Sequence, residues 1–243
     1  MGLYRIAGIL TEMEPKYARL RESAAKYLEK GDGPPDVRAI LPGSFAEQKK
    51  KQIPEMDDEL IEYFYTGVLY SYRALDYGVF VLHGSAISCD GKAYVFSADS
   101  GTGKSTHTAY WREAFGDRVG VINDDKPAIR LERDGFNVYG TPFSGKTSLN
   151  ENVSFPLGAL CFIYRSEHNE IRRIGPDEAV PLLLKQTLRP ANESKLDKAL
   201  SLADEFLRRV PVYSLGVTNS VSSAIFAEKA LIRDQGGAER DQN

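Results

Sequence analysis

The chain has 243 residues, of which 42% are hydrophobic and 27% are charged, a usage typical of globular proteins that excludes disordered and collagen-like classes. Its 31 Lys and Arg residues against 34 Asp and Glu residues give a net charge of −3, so neither a nucleic-acid nor a membrane partner is expected. Cysteine occurs only at Cys89 and Cys161, which excludes a disulfide scaffold and predicts a reduced, cytoplasmic location. No targeting signal is expected, because Glu12 and Glu14 directly follow the first short apolar run.

The first part of the chain predicts a small α+β portion over residues 1–78. Residues 3–9 are expected to form a strand, and apolar residues then recur every three or four positions over 13–28, as on one face of a helix. A polar stretch containing Lys49, Lys50 and Lys51 predicts an exposed loop or edge segment. A long amphipathic helix is expected over 57–77, capped by one of the acidic residues at its start.

The hydrophobic period changes after this helix, from helical spacing to short runs of β-branched and aromatic residues. These runs are bounded by glycine and aspartate and predict the strands of a sheet. The predicted strands lie at residues 79–88, 93–97, 119–123, 157–164 and 212–217. A hairpin over 130–137 is expected to turn at Asp134-Gly135, and residues 170–174 to return beside the strand at 157–164.

The C-terminal part is predicted to be mostly helical. Helices are expected over residues 177–188, with Pro181 in the first turn, and over 196–209. A last helix begins at Asn219 or Ser220, and the polar residues 236–243 predict a frayed tail. The elements together predict an α/β fold with a mixed β-sheet, in which a larger portion over 79–235 follows the N-terminal one and ends in helices.

The most specific motif lies between a predicted strand and a predicted helix. Residues 98–105 match the phosphate-binding loop called Walker A, except that Ala98 stands in place of the first glycine. Glycines let successive backbone N–H groups turn toward one point, and a helix N-terminus adds positive potential there. Lys104 is therefore expected to meet the terminal phosphates of a nucleotide, and Ser105 to ligate magnesium. The residues predicted to hold the nucleotide are Asp99, Ser100, Gly101, Thr102, Gly103, Lys104, Ser105 and Thr106.

An acidic pair, Asp124 and Asp125, follows the strand predicted after this motif. Carboxylates at the carboxyl end of a strand lie where an α/β sheet places its ligand crevice. One of the two would hold magnesium while the other takes the proton of an attacking hydroxyl group. His83, after the apolar run 79–82, is a further candidate, against the alternative of an ordinary core histidine, whereas His107 is predicted on a helix surface.

Two later basic residues are candidates for contact with the transferred phosphate. Residues 140–147 end in Gly-Lys-Thr but contain Pro142, which lacks a backbone N–H, and no helix is predicted after them. This segment is therefore predicted to be a loop over the active site in which Lys146 touches the phosphate. Arg189 is the second candidate, with complementation of a helix dipole as its alternative role.

The order of His83-Gly84, then the loop at 98–105, then Asp124-Asp125 resembles the catalytic domain of HPr kinase/phosphorylase and its relatives, which share a fold with ATP-dependent phosphoenolpyruvate carboxykinases. The resemblance covers residues 80–175 and implies a P-loop kinase core that uses ATP and Mg²⁺. It implies that the acidic pair supplies a catalytic base and a metal-linked carboxylate, and that His83 orients the acidic group. Asp124 is preferred as the base, and Asp125 as the metal ligand together with Ser105, with the reverse assignment of the pair left open.

The function expected from these residues and this resemblance is phosphoryl transfer from ATP to an aliphatic hydroxyl group. The acceptor would be a serine of a peptide or protein, free serine or a small polyol, and HPr is not expected because its kinases' phosphorylase-associated signature is not found. The relatives commonly form oligomers, so a homo-oligomer is a further expectation. The alternatives are an ATP-binding regulatory or assembly module without turnover, against which the intact Lys104, Ser105 and acidic pair argue, and decarboxylation of the carboxykinase type.

Overall fold

A computed structural model describes residues 1–145 and 147–233 of the chain. Within these ranges the strands are β1 (Gly2–Ile6), β2 (Ile9–Met13), β3 (Val37–Arg38), β4 (Val79–Val81), β5 (Gly84–Cys89), β6 (Lys92–Ser97), β7 (Val119–Asp125), β8 (Ala128–Glu132), β9 (Gly135–Tyr139), β10 (Ser154–Arg165), β11 (Glu170–Arg173) and β12 (Val212–Val217). The α-helices are α1 (Ala18–Ala24), α2 (Phe45–Gln52), α3 (Asp58–Ala74), α4 (Lys104–Phe115), α5 (Pro176–Gln186), α6 (Glu193–Arg209) and α7 (Val221–Glu228). The predicted α/β class with a mixed sheet is confirmed.

Strand β10 lies at the centre of a nine-stranded sheet and makes it mixed. Its first residues pair antiparallel with β9, whereas its later residues run parallel to β6 on one side and β12 on the other. Beyond β6 follow β5 and β7, both in antiparallel pairing, and beyond β9 follow β8 and β4. A separate three-stranded sheet holds β1, β2 and β3.

Both faces of the central strands are buried, which explains their continuous apolar runs. Along β6, Val95 packs into a core cluster with α5 and α6, and its neighbours Tyr94 and Phe96 pack into the cluster on the other face with α4 and α7. Successive side chains of a strand point to opposite faces, so one apolar run supplies two cores. The phosphate-loop motif thus follows directly after β6, an inner strand that is packed on both faces.

A third cluster joins the N-terminal elements to the β4–β8 end of the large sheet. Helix α1 begins after Tyr17, whose side chain makes no capping hydrogen bond. Acidic side chains of α3 supply the cap instead: Glu62 accepts from the backbone N–H groups of Lys16 (2.8 Å) and Tyr17 (3.1 Å), and Glu59 accepts from that of Arg19 (2.9 Å). Three backbone N–H groups at or just before the start of α1 are therefore satisfied by side chains 40 or more residues away in sequence.

The N-terminal elements differ from the prediction in two places. The predicted helix over 13–28 starts too early, because residues 9–13 form strand β2 after a hairpin turn with positive φ at Ala7 (49°) and Gly8 (74°). Two successive residues with positive φ suit a two-residue hairpin turn. Ala-Gly is not one of the residue pairs that predict such a turn from sequence. Residues 45–52, expected as a loop or edge segment, form helix α2.

Four further differences concern the larger portion. The run predicted as one strand over 79–88 is divided into β4 and β5, and His83 lies in the break. Strand β11 returns beside β12 and not beside β10, because β12 occupies that edge. Pro181 lies in the middle of α5 instead of its first turn, and His107 is buried. The division of the chain at residue 78 stays a prediction, and the predicted tail lies outside the described residues.

In the described part of the chain, no helix combines the length and apolar character that a membrane crossing requires.

Burial of His107 makes a pH-dependent stability testable. Its ring accepts a hydrogen bond from Trp111 Nε1 at 3.1 Å and meets Ser223 Oγ at 3.1 Å, and burial lowers its pKa to about 4. The folded protein keeps the ring neutral, whereas the unfolded chain protonates it near pH 6.5. We therefore expect the free energy of unfolding to fall as pH drops from about 6.5 to about 4, by roughly 3 kcal/mol from this group.

Urea denaturation at a series of pH values tests this expectation. The variant His107→Gln should show a flatter pH dependence than the wild type over that window. The exposed His168 provides the matched control, and His168→Gln should keep the wild-type dependence. Equal slopes for wild type and His107→Gln would contradict the assignment.

Candidate active site

The glycine-rich loop lies between β6, which ends at Ser97, and α4, which begins at Lys104. Gly101 and Gly103 have φ values of +80° and +119°, a backbone region that other residues adopt only with strain. Among the described residues, nothing beyond the neighbouring chain comes within 4 Å of the position that a Cβ would take at either glycine. Both glycines therefore border open space, and their positive φ values fit a turn whose N–H groups converge on an anionic group.

Lys104 is held beneath this loop. Its side chain is 8% exposed, and Nζ donates to the backbone oxygens of Ala98 (2.9 Å) and Asp99 (3.2 Å). Burial lowers the pKa of the ammonium group, and the nearby carboxylate of Asp125 opposes that effect. Ala98 is not among the residues with positive φ, which explains why an alanine is accepted where the motif has a glycine.

Side chains from two other elements hold the loop from outside. The Asp99 carboxylate accepts from Lys185 Nζ at 2.6 Å and from Gln186 Nε2 at 3.0 Å, and these two partners lower its pKa. Arg165, at the end of β10, donates to the backbone oxygens of Gly101 (2.6 Å) and Thr102 (3.2 Å). No sequence motif predicts a role for Arg165, Lys185 or Gln186. The one sequence signal is that Arg165 ends the long buried strand.

Strand pairing brings His83 to the acidic pair. Gly84 is the first residue of β5 and pairs with Asp125 at the end of β7, so the residue before it comes to lie beside that carboxylate. His83 Nε2 is 3.4 Å from Asp125 Oδ1, and Lys126 Nζ is 3.4 Å from Asp125 Oδ2. The Asp125 carboxylate is therefore flanked by an imidazole and an ammonium group.

Gln186 determines which nitrogen of the His83 ring carries hydrogen. The Asp99 carboxylate can only accept, so the amide turns Nε2 toward Asp99 and Oε1 toward His83 Nδ1, which lies at 2.8 Å. An amide oxygen also only accepts, so Nδ1 donates, and the neutral ring presents the Nε2 lone pair to Asp125. Burial and two neighbouring ammonium groups lower the pKa of His83 and favour this neutral ring.

Asp124 has different surroundings from its neighbour. Its side chain is buried, and one oxygen accepts from Thr147 Oγ1 at 2.8 Å. Its backbone oxygen accepts from the N–H of Gly145, and its own N–H donates to Leu149. Asp124 thus holds Gly145, Thr147 and Leu149, whereas Asp125 is the member of the pair that contacts His83.

Side chains of the N-terminal portion contact residues on either side of these three. Tyr63 Oη, on α3, accepts from the N–H of Ser144 (2.6 Å) and lies within donating distance of the backbone oxygens of Ser144 (2.5 Å) and Pro142 (3.0 Å). The Arg19 guanidinium lies 4.2 Å from the centre of the Tyr63 ring, and Tyr27 Oη donates to Asn150 Oδ1 at 3.1 Å. The sequence predicts no role for residues 1–78 in the site. In the structure their side chains contact residues that flank those bonded to Asp124.

Two cavities flank the Lys185-Gln186 corner of α5. One, of about 470 Å³, lies along the phosphate-loop segment 97–102 and the end of β10. The other, of about 290 Å³, is lined by His83, Asp125, Lys126 and residues of α3. Lys185 and Gln186 line both, so the phosphate loop and the histidine–carboxylate pair open onto adjoining spaces.

The structure brings together His83, Lys104, Asp125 and the loop residues, with Asp124 on the segment beside them. Ser100, Ser105 and Thr106 are exposed on the loop and the first turn of α4. Arg189 is exposed and makes no hydrogen bond or ion pair with the rest of the described chain, so its role stays a prediction. Lys146 lies outside the described residues.

No family model and no curated protein sequence matches the chain. Among solved structures it is similar to the Hpr(Ser) kinase/phosphatase from Coxiella burnetii, with 11% sequence identity and a TM-score of 0.39. The match covers 67% of this chain and 93% of that chain. The relationship is a distant structural one, and it assigns neither a family nor an activity to this chain.

A pair of glycine variants tests the role of the loop backbone. Gly101 and Gly91, the latter in the β5–β6 turn, both have φ of +80° with open space at the Cβ position. Gly101→Ala and Gly91→Ala should each lower the free energy of unfolding by about 1 kcal/mol. Only Gly101→Ala should also weaken ATP binding, because it alone redirects the loop N–H groups. Titration calorimetry with ATP and urea denaturation measure both effects, and unchanged ATP affinity in Gly101→Ala would contradict the proposed cradle.

Proposed function

We propose that this protein is an ATP- and Mg²⁺-dependent kinase that transfers a phosphoryl group to an aliphatic hydroxyl group. One observation carries the proposal: an open glycine loop with a buried lysine adjoins a histidine–carboxylate pair that faces a second cavity. Asp125 is close enough to Lys104 for its charge to oppose the lowering of the ammonium pKa. A protein that bound ATP without turnover would not require the His83–Asp125 pair.

The loop residues would hold the phosphates of ATP. The backbone N–H groups around Gly101 and Gly103 supply the cradle, and the N-terminus of α4 adds positive potential. The Lys104 ammonium group would exchange the backbone oxygens of Ala98 and Asp99 for phosphate oxygens. A flexible stem allows this exchange without movement of the backbone.

The residues at this place fit Mg²⁺ bound together with a nucleotide. The described residues contain no group of three or more His, Cys, Asp or Glu side chains placed to hold a metal ion. Mg²⁺ at a nucleotide site needs only one or two protein ligands, since phosphates and water supply the others. Ser105 and Asp124 are the residues that would hold it, and the ion would neutralise charge on the phosphates.

We assign the base to Asp125 and so reverse the preference from sequence, because Asp125 lines the cavity and Asp124 is bonded to Thr147. Asp125 takes the proton of the acceptor hydroxyl group, and the acceptor oxygen forms a bond to the γ-phosphorus. The bond from that phosphorus to the bridging oxygen breaks, and the electron pair leaves with ADP. The products are ADP and a phosphate monoester, and the neutral His83 ring can take the proton from Asp125 through Nε2.

Exchange of single carboxylates tests the base assignment. Asp125→Asn should lower kcat by about 10²- to 10⁴-fold, because it removes the proton acceptor. It should not weaken ATP binding, because it takes away a negative charge close to Lys104. Lys104→Ala should weaken ATP binding itself. The measurement is mass spectrometry of phosphorylated products over a panel of serine peptides, free serine and polyols, with calorimetry for ATP.

Asp124→Asn is the matched comparison, since it changes the neighbouring carboxylate by the same atoms. Full activity in Asp125→Asn with loss in Asp124→Asn would return the base to Asp124. Tight ATP binding by the wild type without any phosphorylated acceptor would favour the nucleotide-binding module.

A further inference from the structure

We infer that the 290 Å³ cavity beside Asp125 is the acceptor site, and that it takes a hydroxyl group whose neighbouring atoms are apolar and uncharged. This inference rests on the proposed kinase function and narrows its acceptor. We call this space the acceptor cavity; its walls include His83, Asp125, Phe64, Val68, Phe143 and Leu188. It lies at the small end of the range of ligand pockets, which suits one side chain and a hydroxyl group.

The reactive end of the acceptor cavity is defined by Asp125. Its carboxylate lies between His83 and Lys126 at 3.4 Å from each. Lys185 and Gln186 line both this cavity and the one along the phosphate loop. A hydroxyl group at Asp125 would therefore lie on the side of the cavity that adjoins the phosphates.

Apolar side chains of α3 also line the acceptor cavity, next to Tyr63 and Ser71 of the same helix. Phe64 is 48% exposed and Val68 is half-buried, and neither belongs to a core cluster of the described chain. Leu188, just beyond α5, is half-buried and lines the same cavity. Apolar side chains left uncovered beside catalytic groups are stabilised when a ligand covers them. The wall fits the apolar part of an acceptor.

Charges already present in the acceptor cavity argue against a charged acceptor. Within the described chain, both ammonium groups on its lining are paired: Lys126 with Asp125, and Lys185 with Asp99. The carboxylate of a free amino acid would find no unpaired cation among them, and burying it unpaired is costly. A polyol would leave the apolar wall uncovered. These two classes therefore fit less well than a hydroxyl group with an uncharged apolar neighbour.

This chemistry has two sources, a free apolar alcohol and a serine next to an aromatic or aliphatic residue in a peptide. The probes are 3-phenyl-1-propanol for the first source and N-acetyl-Phe-Ser-amide for the second, with N-acetyl-Gly-Ser-amide and free serine as references. Phosphorylation is followed by mass spectrometry, and binding of each probe is measured by calorimetry in the presence of ADP and Mg²⁺. The binding measurement does not depend on turnover.

Phe64→Ala removes part of the apolar wall, and Leu200→Ala is its matched control, because Leu200 is 41% exposed on α6 outside the acceptor cavity. Val68→Trp fills the cavity instead of opening it, and denaturation curves establish that each variant is folded. We expect the Phe-Ser probe, the phenyl alcohol or both to bind and react about ten-fold better than the references. Phe64→Ala and Val68→Trp should each lower the binding and phosphorylation of the preferred probe about ten-fold. Leu200→Ala should leave both at the wild-type level.

The outcomes separate this inference from the kinase proposal. Equal phosphorylation of all probes, or full preference retained in both wall variants, would overturn the acceptor assignment and leave the kinase standing. Binding of an apolar probe that depends on Phe64, without phosphorylation of any probe, would uphold the cavity assignment and overturn the kinase. Absence of binding by every probe would overturn the inference outright.

Discussion

The candidate site depends on the position of β5 between β6 and β7. Both neighbours run antiparallel to it, so the start of β5 meets the ends of both, and Gly84 pairs with Ser97 as well as with Asp125. A Cβ at Gly84 would come within 3.1 Å of the Phe96 backbone oxygen. A glycine at position 84 therefore allows β5 to lie close to β6. This places the phosphate loop, the histidine and the carboxylate next to one another at the same end of the three strands.

Electrostatics then determine the state of these groups. Burial lowers the pKa of Lys104 and of Lys126, because it disfavours their charged ammonium groups. The nearby Asp125 carboxylate opposes this effect and so reduces the free-energy cost of burying the two charges. His83 is kept neutral by the same burial, and Gln186 directs its unprotonated nitrogen to Asp125. The groups proposed for proton transfer and for phosphate binding are thus linked by contacts of Gln186 with both His83 and Asp99.

The sequence predicted what local patterns encode. Helix α3, strand β12 and the β8–β9 hairpin lie where periodicity and turn residues placed them, and the loop motif lies between a strand and a helix. The prediction failed where long-range pairing decides, as for β11, whose neighbour depends on which strand occupies the sheet edge. Arg165 and Gln186 escaped notice because their roles come from tertiary contacts with the loop and not from spacing. The function of α3 in the site was hidden for the same reason.

The remote capping of α1 bears on how this protein folds. A seven-residue helix is too short to be stable alone in water. The backbone N–H groups at the start of α1 donate to Glu59 and Glu62 of α3 instead of to a cap residue of their own. These hydrogen bonds exist only where α1 and α3 are packed together, which couples the stability of the two helices. Arg19 of α1 and Tyr63 of α3 also contact each other, and Tyr63 lines the acceptor cavity, so the packing of these two helices forms part of its wall.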